Sequence, residues 1–220
     1  MKIFCIIPAF NEEKNIGPVV SEVKKYVDQV VVVDDGSVDQ TVNVSLLNGA
    51  VVLKHIVNRG QGAALETGNV YALRSGADIV VHFDADGQFV ANEIQDVVRP
   101  INSDECDIVF GSRFMNKKSN LPLVKEKIII PLAHVINKLL IGKTLTDPQN
   151  GFRAMNRQAL SVIKINQRGM AHCSEIIYKA FKNRLRIKEI PVTVIYNDFG
   201  QSFGGGVKII KDLLISKLID

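Results

Sequence analysis

Tryptophan is absent from the 220 residues, and aromatic side chains make up only 6% of them. Proteins that bind single-stranded nucleic acid stack bases on aromatic platforms. This scarcity therefore argues against a nucleic-acid partner, although the chain is basic overall, at +4. Cysteine is sparse too. Cys5, Cys106 and Cys173 stand far apart and are odd in number, which excludes a disulfide framework and a zinc spacing and fits a reducing compartment. No apolar run approaches the about 20 residues of a membrane span. The most apolar stretch, IIIPLAHVI at 128–136, is interrupted by Pro131 and His134. The opening MKIFCIIPAFNEE passes straight from a short apolar run into charge, without the cleavage pattern of a secretion signal. A cytoplasmic protein is expected, attached at most to a membrane surface. Neither a GxxxxGK[ST] P-loop nor a GxGxxG fingerprint occurs, which argues against a P-loop ATPase and a dinucleotide dehydrogenase. Without internal repeats or a low-complexity linker, residues 1–220 are expected to form a single domain.

What is present is an uneven distribution of charge. Residues 1–110 carry 8 Lys and Arg against 16 Asp and Glu, a balance of −8. Residues 111–220 carry 19 against 7, a balance of +12. An acidic half beside a basic half suits a metal on one side and an anionic partner on the other.

The first half alternates two signals. Apolar runs at 3–7, 30–33, 51–53, 79–83 and 108–110 read as buried strands. Between them, helical spacing occurs at 16–27, 41–47, 63–74 and 92–99. Continuous apolar strands separated by helices predict an α/β fold, a mostly parallel sheet with helices on both faces. The second half predicts helices at 124–141, 157–163, 174–184 and 207–219, with a strand at 187–195.

In an open parallel sheet, ligands bind beyond the carboxyl ends of the strands. Five polar motifs fall there: PAFNEE (8–13), DDGSVD (34–39), NRGQGAA (58–64), DADGQ (84–88) and GSR (111–113). Turn chemistry explains any one of them and explains all five poorly. On an extended strand end, Asp84, Asp86 and Gln88 would share one side. Two carboxylates and an amide oxygen are hard ligands suited to Mg²⁺ or Mn²⁺. Asp34 and Asp35 are candidates for hydrogen bonding to a ribose or base, whereas Asp39 is assigned mainly to capping the next helix. The glycines at 60 and 62 would let a backbone approach closely and offer N–H groups to an anion. Arg113, Arg153 and Arg157 suit phosphate; an Asp147–Arg153 salt bridge shaping the 147–153 turn is the alternative for that pair. His82 reads as a core histidine, His55 has no visible partner, and His172 is either a helix cap or a site residue.

Taken in order and spacing, PAFNEE, VVDDGSVDQT, NRGQGAALETG, DADGQ, GSR and TDPQNGFR resemble glycosyltransferase family 2 over roughly residues 3–200. Within that family the chain is most similar to polyprenyl-phosphate hexosyltransferases of the dolichyl-phosphate mannose synthase kind. The resemblance implies the Rossmann-like GT-A fold and inverting transfer of a hexose from a GDP- or UDP-sugar, with Mg²⁺ or Mn²⁺. It places Pro8, Asn11, Glu12, Asp34, Asp35 and Gly60 at the donor nucleoside, and Asp84 between nucleoside and metal. It places Asp86 and Gln88 at the metal and diphosphate. Arg113 would face the phosphates, Asp147 and Arg153 would shape the acceptor end, and Glu175 is a further acceptor-side candidate. Basic residues usual in the family are replaced by Gln61, Asn197 and Phe203, with Lys208 or Lys211 as substitutes on the acceptor side.

The acceptor implied is a polyprenyl phosphate, with a saccharide acceptor as alternative; a non-catalytic nucleotide-sugar-binding adaptor is the alternative of another class. Residues 1–113 would form the nucleotide- and metal-binding half and 114–220 the acceptor half. The stretches at 124–141 and 207–219 combine apolar and lysine faces suited to an anionic membrane surface, or to packing on the sheet. A small membrane-protein anchor is the other route to a bilayer.

Overall fold

A computed structural model describes residues 1–115 and 145–195. Seven strands form one sheet: β1 (Ile3–Ala9), β2 (Gln29–Asp34), β3 (Val51–Lys54), β4 (Ile79–His82), β5 (Ile108–Ser112), β6 (Arg153–Asn156) and β7 (Ile187–Pro191). Their spatial order is β3-β2-β1-β4-β6-β5-β7. All neighbours are parallel except β6, which runs antiparallel to both β4 and β5.

Period two along β1 explains why its apolar run is unbroken. Cys5 and Ile7 join one core, with Val19, Val20, Ile94 and Val98. Phe4 and Ile6 join the other, with Leu65, Ala72, Leu160 and Ile177. Each face is covered by helices, so the central residues Phe4–Ile7 are all buried, on one side or the other. The first face carries α1 (Ile16–Val23) and α4 (Ile94–Asn102). The second carries α3 (Gln61–Arg74), α5 (Arg157–Val162) and α6 (His172–Lys182). A shorter helix, α2 (Thr41–Leu47), packs beside α1.

Three expectations are corrected. The strand β6 was not foreseen; its first residue is Arg153, which is only 1% exposed. The segment expected to be helical from residue 92 begins as a 3₁₀ turn, Ala91–Glu93, before α4. The strand expected to reach 195 stops at Pro191, where its partner β5 ends at Ser112; Val192 N–H still donates to Ser112 O, and Val194 bridges Phe89 instead. The helices expected at 124–141 and 207–219, with Asn197, Phe203, Lys208 and Lys211, lie outside the described residues. Among the described residues, no helix is long and apolar enough to cross a membrane.

Candidate active site

The carboxyl ends of β1, β2 and β4 open into a cleft of about 470 Å³, walled by Pro8, Glu12, Asp35, Gly60, Asp84 and Asp86. Gln149, Gly151, Met170, His172 and Cys173 close its other side.

The loop after β2 fixes one wall. Asp35 is buried, and its carboxylate accepts from the N–H groups of Arg59 (2.9 Å) and Gly60 (2.7 Å) and from His55 Nδ1 (2.7 Å). These contacts fix Asp35 in the cleft wall and supply the partner His55 lacked; Thr67 Oγ1 holds the other ring nitrogen at 2.9 Å. Asp34 is fully buried, lies outside the cleft wall, and accepts from Ser37 N–H at 3.3 Å. Asn11 adopts a positive φ of 56° and accepts from Val38 N–H at 3.0 Å, joining the loops after β1 and β2. Asp39, one residue before the N-cap Gln40, accepts from Thr41 N–H and Oγ1 and so satisfies a free N–H at the start of α2 without being its N-cap.

The glycine loop is used differently from expectation. Gly60 N–H is taken by Asp35, and Gly62 N–H donates to Arg168 O at 2.9 Å. The close approach comes from protein backbone: a Cβ on Gly62 would lie 1.9 Å from Gln167 O. The free amides that an anion would need are therefore already committed at both glycines.

Asp84 and Asp86 form the floor. Strand β4 ends at His82, so the DADGQ segment is a turn, with Gly87 at φ +74°, and not an extended strand end. Both carboxylates still reach the cleft. Gln88 does not; its N–H donates to Asp86 Oδ1 at 3.0 Å and its side chain is absent from the cleft wall. Asp84 accepts from Gln61 Nε2 at 3.1 Å, and a Cβ on Gly151 would come within 2.8 Å of its Oδ2. Burial, reinforced by the charge of Asp86, pushes the Asp84 carboxyl up to about 7. Burial also raises Asp86. Two mutually repelling, partly desolvated carboxylates fit a divalent cation, whose charge removes the repulsion. Among the described residues no group of three or more His, Cys, Asp or Glu side chains is arranged to hold an ion.

The remaining predicted residues are dispersed. Asp147 does not pair with Arg153 but with Arg113, through Nε–Oδ2 at 2.6 Å and Nη2–Oδ1 at 2.7 Å, and neither lines the cleft. Arg153 instead donates to Asn150 O, Gly151 O and Cys173 Sγ. The Glu175 carboxylate holds the N–H groups of Asn166 and Gln167 and the ammonium of Lys179. Glu175 does not line the cleft; its contacts fix the loop at 166–167. The sequence reading missed Gln149, Gly151, Met170 and Cys173 as wall residues and left His172 undecided. The motif TDPQNGFR had already pointed to the first two; nothing marked Cys173.

The model of the family described as glycosyl transferase family 2 matches residues 4–164. An uncharacterised protein of Methanocaldococcus jannaschii is 38% identical, with 99% of this chain and 93% of that protein covered. UDP-N-acetylglucosamine–dolichyl-phosphate N-acetylglucosaminyltransferase of Methanococcus voltae is 37% identical over 98% of this chain and 96% of its own. Polyprenol monophosphomannose synthase of Mycolicibacterium smegmatis is 28% identical over 93% and 81%. Among solved structures, glucosyl-3-phosphoglycerate synthase from Mycobacterium tuberculosis, in complex with Mn²⁺, uridine diphosphate and phosphoglyceric acid, matches with a TM-score of 0.76. That match covers 97% of this chain and 78% of that one at 20% identity, and it shows a shared GT-A-like fold.

Proposed function

The chain belongs to glycosyl transferase family 2, and from that premise we propose that it moves a sugar from a nucleotide diphosphate donor to a polyprenyl phosphate, with inversion and with Mg²⁺ or Mn²⁺. The observation that carries this reading is the pair Asp84 and Asp86 on the floor of the strand-end cleft, in a chain similar to enzymes named for polyprenyl-phosphate acceptors. The glucosyl-3-phosphoglycerate synthase structure, with Mn²⁺ and uridine diphosphate, supports the metal and the donor class.

The donor nucleoside lies against Pro8, Glu12 and the Asp35–Gly60 wall, and the diphosphate points to Asp84 and Asp86. A divalent cation bound there would stabilise the negative charge that develops on the leaving diphosphate. Sugar–phosphate cleavage leaves C1 oxocarbenium-like. A polyprenyl phosphate enters from the Gln149–Gly151 and Met170–His172 side. Its attacking oxygen is already ionised near neutral pH, because the second phosphate pKa is about 6. The chain then needs to orient the acceptor more than to deprotonate it. A lipid acceptor places the work at a membrane surface, on the cytoplasmic side where nucleotide sugars are made, with this chain docked peripherally or through a partner.

The test is a panel of UDP- and GDP-sugars with Mn²⁺ or Mg²⁺ and a polyprenyl phosphate. Labelled sugar entering the organic phase, and lost in Asp86→Asn, is the expected result. A product confined to the aqueous phase in the presence of oligosaccharides would move the acceptor to a saccharide. Donor binding without turnover across the panel would make the chain an adaptor.

A further inference from the structure

Arg153 poses a question that the proposed reaction does not answer. It is 1% exposed, at the first position of an interior strand. A buried guanidinium needs a negative partner, yet no carboxylate among the described residues lies at ion-pair distance from it. Its donors go to two backbone carbonyls, Asn150 O at 2.9 Å and Gly151 O at 3.2 Å, and to Cys173 Sγ at 3.2 Å. Nη1 has no partner among the described residues. Of the groups touching Arg153, the sulfur is the one able to carry negative charge.

His172 supplies a second, independent pointer. Its Nδ1 sits 2.9 Å from Gly169 O, so that nitrogen carries a proton. Nε2 then faces Cys173 Sγ at 3.4 Å, able to take the thiol proton and remain beside the sulfur as imidazolium. Both residues open α6, an 11-residue helix whose N-terminal end favours an anion. Both also line the cleft, but each is almost wholly buried, His172 at 1% and Cys173 at 2% exposure, so only a small reagent entering through the cleft can reach the sulfur.

We propose that Cys173 is a reactive thiolate of the cleft, open to exchange with small disulfides and thiosulfonates and shielded when a nucleoside diphosphate is bound. The shielding rests on the donor placement proposed above; the reactivity does not.

The electrostatics agree. Burial alone would raise the Cys173 thiol, but the charges of His172 and Arg153 outweigh it and bring it down to about 6. Facing groups from other elements are Asp84, whose charge opposes the thiolate, and His82, which burial keeps neutral. The other two cysteines differ. Burial pushes Cys5 far up, and Cys106 rises to about 11.

The step balances without an outside oxidant. The Cys173 thiolate attacks the sulfenyl sulfur of methyl methanethiosulfonate, an S–S bond forms, and methanesulfinate leaves. Dithiothreitol reverses it: its first thiolate takes the methylthio group and releases the Cys173 thiolate, and its second closes the ring and expels methanethiol.

The experiment uses the full chain and limiting methyl methanethiosulfonate, read by intact mass and peptide mapping from pH 5 to 9. Expected is one methylthio group, on Cys173, added at least about tenfold faster than on Cys5 or Cys106, with a rate midpoint near 6. UDP or GDP with Mn²⁺ should slow labelling at least about tenfold. Labelling of Cys173 only after unfolding in urea, or a rate still climbing at pH 9 as for an ordinary thiol, overturns the thiolate. Prompt labelling that neither nucleotide slows overturns the shielding and the donor placement, and leaves the reactivity standing.

Discussion

The side-chain amide of Gln61 donates to Oδ1 of Asp84 across 3.1 Å, tying the first residue of α3 to the floor of the cleft beyond β4. The contact is neutral, so it orients the Asp84 carboxylate without cancelling its charge. Burial and Asp86 are therefore left to set that group's behaviour.

The raised carboxyl of Asp84 predicts that cation binding at the proposed site depends on pH. Its folded value, about 7, lies above the unfolded 3.8, so the native chain holds the proton more tightly. The resulting stabilisation is full below the unfolded value and is lost as the pH rises through about 7. A cation must displace that proton. Mn²⁺ affinity should tighten by up to about tenfold per pH unit below 7 and flatten above it. Titration calorimetry at pH 6 and 8, in buffers of different ionisation enthalpy, reads both the affinity and the released proton.

Asp86→Asn keeps the size of the side chain and removes its charge. Turnover of nucleotide sugar should fall by about 100-fold or more, with a thermal midpoint at or above that of the parent because the repulsion with Asp84 is gone. A variant that keeps full turnover would remove Asp86 from the metal site.

Asp147 is 2% exposed and gives both oxygens to Arg113. Truncating one member of such a pair strands the other. Asp147→Ala should destabilise the chain by about 3 kcal/mol, measured by urea unfolding. Arg113→Lys, which loses the two-pronged geometry, should retain part of that stability.

Gly62→Ala would set a methyl group 1.9 Å from Gln167 O. Backbone must move, and because the 167–173 segment carries Met170, His172 and Cys173 to the cleft, the damage reaches the site. A loss of about 2 kcal/mol is expected, together with faster proteolysis after Arg168 than in the parent.

How far the sequence foretold this follows from local periodicity. The first five strands were legible because each is a short apolar run between helical patterns, and their loops carried the polar motifs. Strand β6 was not, since RAMN is four residues long, begins with arginine and borrows its burial from β4 and β5 on either side. Asp84 and Asp86 were legible as carboxylates near a strand end. Residues His172 and Cys173 meet them only through the fold, from a helix start almost ninety positions away, and no spacing rule spans that distance. The same reason hid the partner of Asp147: Arg153 was nearer in sequence, whereas Arg113 is nearer in space.

The reversed strand β6 also governs when this sheet can exist during synthesis. Residues Ile79–His82 and Ile108–Phe110 both pair with it, and not with each other. A chain that has emerged only as far as β5 therefore holds the β3-β2-β1-β4 ladder with an open β4 edge, and β5 without either of its partners, β6 and β7, the kind of surface that recruits other chains. Closure waits for residue 156, so truncation after the acidic half should yield aggregate and not a working nucleotide-binding fragment.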